Sequence, residues 1–410
     1  MMYNCHIHLF TTKHVPNRFA GIPFLTVSIA RFVVIRLYPV AWLVTGLIKA
    51  WYRLKGKPDG ASRLLRFLAI GLEETQAEVF ERIRYNYPRN TRFVVLPMDM
   101  DAMGRGAPAV TVEAQHQELF DLAKTLRDAN QDKPADQQDA EIIPFAHVDP
   151  RREDAMDRFR ALHEAGAQGL KIYPNLGYPP THPRLMGSVG NPSSGLFGYC
   201  QKQSLPVMTH CSAGGVHGAV TGNVLAPDGS TRHQGRLLQR EEALTLSDPE
   251  HFREVLTTFP DLRVCLAHFG GLDAWREYFA NPISRRPPND ETPMNWLSKL
   301  SGMLRETDGM DASGAPRARF PNLYTDISYT IFFFSDFHRA LKIFLQNDLV
   351  RARTLFGSDF YMTEIEKFPE SQLSIGLRAE LGEATFAQIS QQNPQLYLYG
   401  SQLHAVDTMT

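Results

Sequence analysis

Apolar positions along the chain fall into short, nearly continuous runs, separated by longer stretches in which they recur every three or four residues. That rhythm predicts alternating strands and helices. Runs at residues 2–6, 93–98, 142–147, 169–173, 206–210, 263–268, 323–326 and 354–358 read as strands. Helical patterns at 112–130, 151–165, 194–204, 248–259, 336–345 and 383–391 follow six of them; an insertion follows the first and a long variable region follows the sixth. Eight strands in this order predict one α/β domain over residues 1–410, a (β/α)8 TIM barrel. The competing architecture is a doubly wound open sheet. It would not gather the ends of all its strands round one mouth, whereas a barrel does.

Residues 10–88 form a long helical insertion between the first two strands, and within it residues 22–51 are strongly apolar. Arg31, Arg36, Pro39 and Lys49 interrupt that stretch, and its longest uncharged run, 37–48, has 12 residues. A membrane span needs about 20. The expectation is a lid over the barrel mouth or a subunit interface in a homo-oligomer, with peripheral membrane contact as the less favoured alternative.

Composition narrows the partners. The chain has 410 residues, 43% of them hydrophobic, enough for a large core, and its net charge of −1 does not suggest nucleic acid. Cys5, Cys200, Cys211 and Cys265 show no paired spacing, so reduced thiols in a cytoplasmic protein are expected. The first strand begins at about residue 2, which leaves no room for a signal peptide.

Candidate chemistry sits at strand ends. In a regular strand His6 and His8 point one way and Cys5 and Ile7 the other, so the histidine pair makes half a metal site. Lys171, His210, His268 and Asp359 each end a later strand. A lysine inside a barrel is costly unless paired or neutralised. It is either salt-bridged to a carboxylate such as Asp359 or carboxylated, with carbamate oxygens that bridge two metal ions. Asp359 alone could equally cap the helix that follows.

These residues resemble the amidohydrolase superfamily, in particular its amidohydrolase-related branch (amidohydrolase 2). The likeness rests on His6-x-His8, Lys171-Ile-Tyr-Pro, His210-Cys-Ser-Ala-Gly-Gly, His268-Phe-Gly-Gly, Leu323-Tyr-Thr-Asp-Ile-Ser and Phe356-Gly-Ser-Asp359. The resemblance implies His6, His8 and Asp359 on one metal, His210 and His268 on a second, and carboxylated Lys171 between them. It also implies single-metal members, in which the strand-five histidine joins the first metal and the strand-six histidine assists catalysis. The insertion departs from the compact link usual in the family.

Such donors suit Zn²⁺, with Mn²⁺ or Fe²⁺ as alternatives. The expected activity is hydrolysis of a C–N or C–O bond (amide, lactone or ester) in a small molecule by metal-activated water, with Asp359 as general base and acid and His268 assisting. Tyr173 and the loop residue His217 are candidates to orient substrate. The alternative is a single-metal decarboxylase of an aromatic or semialdehyde acid. Gly214-Gly215 reads as a tight turn, not a phosphate cradle.

Overall fold

The computed structural model describes residues 1–19, 26–27, 41–54, 65, 69–219, 237–281, 294–363 and 370–400. Its parallel strands are β1 (Tyr3–Ile7), β2 (Arg92–Val95), β3 (Glu141–Pro144, resuming as Ala146–His147), β4 (Leu170–Ile172), β5 (Val207–Thr209), β6 (Val264–Leu266), β7 (Leu323–Asp326) and β8 (Thr354–Leu355). The first half of β3 pairs with β2 and the second with β4; the strand changes neighbour at Phe145, whose amide still reaches the Val95 carbonyl. Beyond β8 the chain runs alongside β1. Cys5 N donates to Phe356 O at 2.8 Å, Asp359 N to His6 O at 2.8 Å and His8 N to Phe360 O at 3.2 Å, which carries the sheet round from β8 to β1 as a barrel.

Alternation along the strands builds two apolar layers. Val94, Leu96, Ile143, Phe145, Met208, Cys265, Tyr324 and Leu355 fill the barrel interior. Leu170, Ile172, Val207, Val264 and Leu266 face outward, against helix residues such as Leu119, Phe159, Phe252 and Leu341. Strands apolar on both faces are what a sheet covered by helices requires. Gly169 is needed for close approach, since a Cβ there would run into the Phe145 ring. Tyr397 and Leu398, on the final helix Asn393–Tyr399, join the interior cluster, and Arg263 Nε donates to the Tyr397 carbonyl at 2.7 Å.

Several boundaries differ from the sequence pattern. The variable region after β6 contains the helices Leu272–Ala280 and Trp296–Arg305 and an exposed antiparallel hairpin, Thr307–Met310 with Pro316–Ala318. The terminal region is a succession of helices starting at Glu370–Leu381, where the pattern had suggested one stretch at 383–391. Most of residues 22–51, and with them the lid or interface expectation, lie outside the described residues. The described part of the insertion includes helix Ala41–Leu54 and helix Gln76–Arg84, the latter begun by a Thr75/Glu78 capping box. The insertion is pinned at Gly71, whose carbonyl accepts from Thr12 N at 2.7 Å and Thr12 Oγ1 at 2.8 Å. Among the described residues no helix is long and apolar enough to cross a membrane.

One face assignment is corrected. Between Asn4 and Ile7 the chain advances three residues while β2 advances two, from Phe93 to Val95, so β1 carries a bulge. Cys5 therefore packs in the barrel interior and Ile7 in the outer layer, on opposite faces and not on one. The extra residue lets Cys5 fill the core while the next side chain, His6, also turns inward.

Candidate metal centre

His6 and His8 are each fixed through Nδ1. His6 Nδ1 lies 2.8 Å from Asp326 Oδ2, and His8 Nδ1 lies 2.7 Å from the Leu96 carbonyl oxygen. A carbonyl oxygen and an ionised carboxylate only accept, so both rings donate from Nδ1 and turn Nε2 to the site. His6 Nε2 is buried with no hydrogen-bond partner, and His8 Nε2 faces Asp359 Oδ1 at 3.5 Å. Asp359 Oδ1 and Lys171 Nζ are likewise buried and without hydrogen bonds. Orphaned buried polar atoms are rare in folded proteins, and here three face one another electrostatically. Ligand atoms of His6, His268 and Asp359 all lie within 4.8 Å of one another, a spacing that fits one ion. The donor set of imidazole nitrogens and a carboxylate fits a divalent metal. Asp359 Oδ1 takes no capping hydrogen bond, and among the described residues Lys171 has no carboxylate within ion-pairing distance.

His210 and His268 form the other wall. His268 Nε2 lies 3.0 Å from His210 Nδ1, while His210 Nε2 lies 2.9 Å from the Gly214 carbonyl. Tyr173 lies parallel to His210 with ring centroids 4.2 Å apart, and its hydroxyl accepts from Val216 N at 3.2 Å. His217, in the same loop, is half-buried, with Arg240 and Arg105 among its electrostatic neighbours.

Two residues given no role from sequence prove central. Asp326 takes the His6 ring on Oδ2, and its Oδ1 accepts the backbone amides of His268 at 2.9 Å and Ser328 at 3.0 Å. The Ser328 hydroxyl bonds to Asp326 Oδ1 and lies 2.8 Å from His268 Nδ1 and 3.2 Å from His6 Nδ1. The signal was present, an aspartate ending β7, but in sequence it is indistinguishable from a further ligand.

The backbone is strained here. Of the described non-glycine residues with positive φ, all but Ser204 belong to or adjoin the site: His268 (66°), Phe269 (46°), Tyr329 (50°), Asp359 (58°) and Tyr361 (95°). Each such conformation costs on the order of 1–3 kcal/mol and persists only where surrounding structure over-determines it.

Burial dominates the electrostatics. It pushes the Asp359 carboxyl up to about 6, against the pull of His6 and Lys171. Burial lowers the Lys171 ammonium to about 8, against Asp326 and Asp359, so the amine loses its proton readily. Burial, aided by His6, lowers His268 to about 3, and burial holds His8 and His210 well below the usual imidazole range. Asp326 goes the other way: burial alone would raise it, but His6, His268 and Ser328 hold it well below an ordinary carboxylate.

These shifts set the acid sensitivity of the metal-free protein. His14, His116 and His147 are also lowered by burial, each to about 4. Between about pH 4 and 6.5 such histidines are neutral when folded and protonated when unfolded, so unfolding takes up protons and stability rises with pH. Asp359 acts oppositely between about 4 and 6, but it is outnumbered. Each histidine contributes up to about 1.4 kcal/mol per pH unit. The urea midpoint of chelator-treated protein should therefore fall clearly from pH 7 to pH 5; a flat or rising midpoint would contradict these burial assignments.

Gly215, at φ 96°, sits where a Cβ would meet the Tyr173 hydroxyl and come within 3.1 Å of the His210 ring. Gly215→Ala should cost about 1–2 kcal/mol in left-handed backbone strain alone and displace the stacked pair as well. Thermal melting reads the loss, and an unchanged melting temperature would refute this packing role.

The amidohydrolase family model Amidohydro_2 matches residues 3–396. Among solved structures the chain is similar to an uncharacterized TIM-barrel protein from Bordetella bronchiseptica, at 17% identity over 85% of this chain and 92% of that one, with a TM-score of 0.45. It is also similar to a probable 2-pyrone-4,6-dicarboxylic acid hydrolase from Acinetobacter baumannii (9% identity, 97% and 98% covered, TM-score 0.48). A third is a 5-carboxyvanillate decarboxylase from Novosphingobium aromaticivorans with bound manganese (12% identity, 97% and 97% covered, TM-score 0.47). No curated protein matches the chain.

Proposed function

The chain belongs to the amidohydrolase family, and from that premise we propose that it is a metal-dependent hydrolase cleaving the C–N or C–O bond of a small amide, lactone or ester. The observation that carries this reading is the set of buried, unpartnered atoms His6 Nε2, Asp359 Oδ1 and Lys171 Nζ in one barrel mouth. His6, His8 and Asp359 would hold one divalent ion through those atoms and His8 Nε2; His210, His268 and a carboxylated Lys171 would complete a second position. Zinc suits these donors best. When bound, the metal supplies Lewis acidity to the scissile carbonyl and acidifies water.

The remaining work falls to the chain. Asp359, raised by burial toward neutrality, takes a proton from the attacking water and returns it to the departing nitrogen or oxygen. Tyr173 already accepts at its oxygen from Val216 N, so its own proton is left to donate to a substrate oxygen. His217 would contact the substrate farther out along the loop. Near-complete burial of His6, Lys171 and Asp359 keeps bulk water from competing for these bonds.

One observation favours the second reading, a single-metal decarboxylase. The three convergent groups His6, His268 and Asp359 are spaced for one ion. Metal analysis of purified protein followed by assay against lactones, amides and aromatic acids separates the two. Two ions per chain with hydrolysis support the proposal; CO2 release from an aromatic acid, one ion per chain and no hydrolysis would replace it.

A further inference from the structure

We propose that Tyr178 is a positioning residue for the metal centre, holding Tyr173 and, through its ring, His210; this rests on the reading of His210 as part of that centre. Tyr173 is the first residue beyond β4, and its amide donates to the Tyr178 hydroxyl at 2.7 Å. Tyr178 is buried, and its hydroxyl lies 3.4 Å from His147 Nε2. His147 ends β3. Its Nδ1 accepts from Asp99 N at 2.8 Å, and its own amide donates to His116 Nε2 at 3.0 Å. His116 Nδ1 in turn donates to the Val112 carbonyl at 2.7 Å. The chain of bonds thus ties the ends of β2, β3 and β4 to helix Val112–Asp128.

Packing alone does not locate this chain. His147 and His116 border a cavity of about 120 Å³ whose other walls include Val112, Val148, Ala161 and Leu162. Rings beside a void are not wedged in place; their hydrogen bonds must hold them. At the other end the Tyr173 ring lies within 8° of parallel to His210, so a shift of the Tyr173 backbone moves the surface against which that imidazole rests. Removing the Tyr178 hydroxyl leaves the Tyr173 amide and His147 Nε2 without their partner while keeping the ring in place.

The test uses full-length protein labelled with ¹³C at histidine Cε1 and recorded metal-free at pH 8, with His210 assigned by its absence in His210→Asn. Tyr173→Leu removes the ring current and marks the unstacked position. In Tyr178→Phe the His210 resonance should move part of the way toward that position, and affinity for Co²⁺ should fall about ten-fold, as for other partners that orient ligands. A resonance coincident with wild type and unchanged Co²⁺ affinity would overturn the proposal. If Tyr178→Phe does not fold, His147→Gln breaks the chain one link farther out, and an unmoved His210 signal there would overturn it equally. Wild-type protein that binds no Co²⁺ would defeat the metal-centre reading, while the resonance still decides the role of Tyr178.

Discussion

Replacing both His6 and His8 by alanine should strip the protein of metal and of activity together while leaving the barrel folded. Both rings reach the mouth aligned through Nδ1 by Asp326 and by the Leu96 carbonyl, with Nε2 turned toward the site. Without them only one of the three convergent ligand pairs survives, that of His268 and Asp359. Turnover should fall by roughly a thousand-fold or more, equivalent to about 4 kcal/mol of transition-state stabilisation. Folding should suffer less, because Asp326 keeps the amides of His268 and Ser328 and the Ser328 hydroxyl after its imidazole partner is gone. Asp326→Ala should be milder, weakening metal binding about 10- to 100-fold through loss of alignment. Metal content by mass spectrometry and melting of the chelated forms check the series. Full metal occupancy in the double variant would end the assignment.

The second large effect is expected at Lys171. The amine is fully buried, lacks a hydrogen bond and is held by burial at about 8, so roughly a tenth is neutral at pH 7 and about half at pH 8. Neutral Nζ can form an N–C bond to CO2 and release one proton, and the resulting carbamate anion would offer its oxygens to the metal site. Lys171→Ala should then lose one of two metal equivalents and most activity, with partial rescue by a short carboxylic acid. For wild type, activation by added bicarbonate should grow from pH 7 to above pH 8, since the neutral amine is the reactant. One ion per chain, activity indifferent to bicarbonate and an unmodified Lys171 in the mass spectrum would move the reading to the single-metal decarboxylase.

Much of the architecture is legible because parallel strands covered on both faces must be almost wholly apolar, and such runs stand out. The candidate ligands stand out in the sequence for the opposite reason: histidine, lysine and aspartate interrupt those runs at their ends. What hid was anything depending on three-dimensional compensation. The β1 bulge adds one residue without changing composition, so regular strand alternation places Cys5 on the wrong face. Asp326 and Ser328 lie in the string Leu323-Tyr-Thr-Asp-Ile-Ser, but they act on other side chains, and their spacing alone assigns them no role. Tyr178 lies in a loop where nothing in the sequence marks its bond to Tyr173. The hairpin 307–318 is exposed and polar, so no burial pattern announces it.

The seam between β1 and the segment after β8 also governs when the site can exist. Asp359 N bonds to the carbonyl of His6, and Asn4 Nδ2 bonds to Ser358 Oγ at 2.8 Å across 354 residues of sequence. The strand bearing the histidine pair is synthesised about 350 residues ahead of its closing partner. Loop-closure entropy makes contacts of such separation late ones in folding. Until that partner emerges, a nascent chain exposes one unpaired β1 edge, and His6 stays unaligned until Asp326 is made, whereas His8 can be aligned early by Leu96. Closing the seam joins the sheet and brings Asp359 to His6 in one event, so capture of the metal becomes a reward for completed folding and not an aid to beginning it.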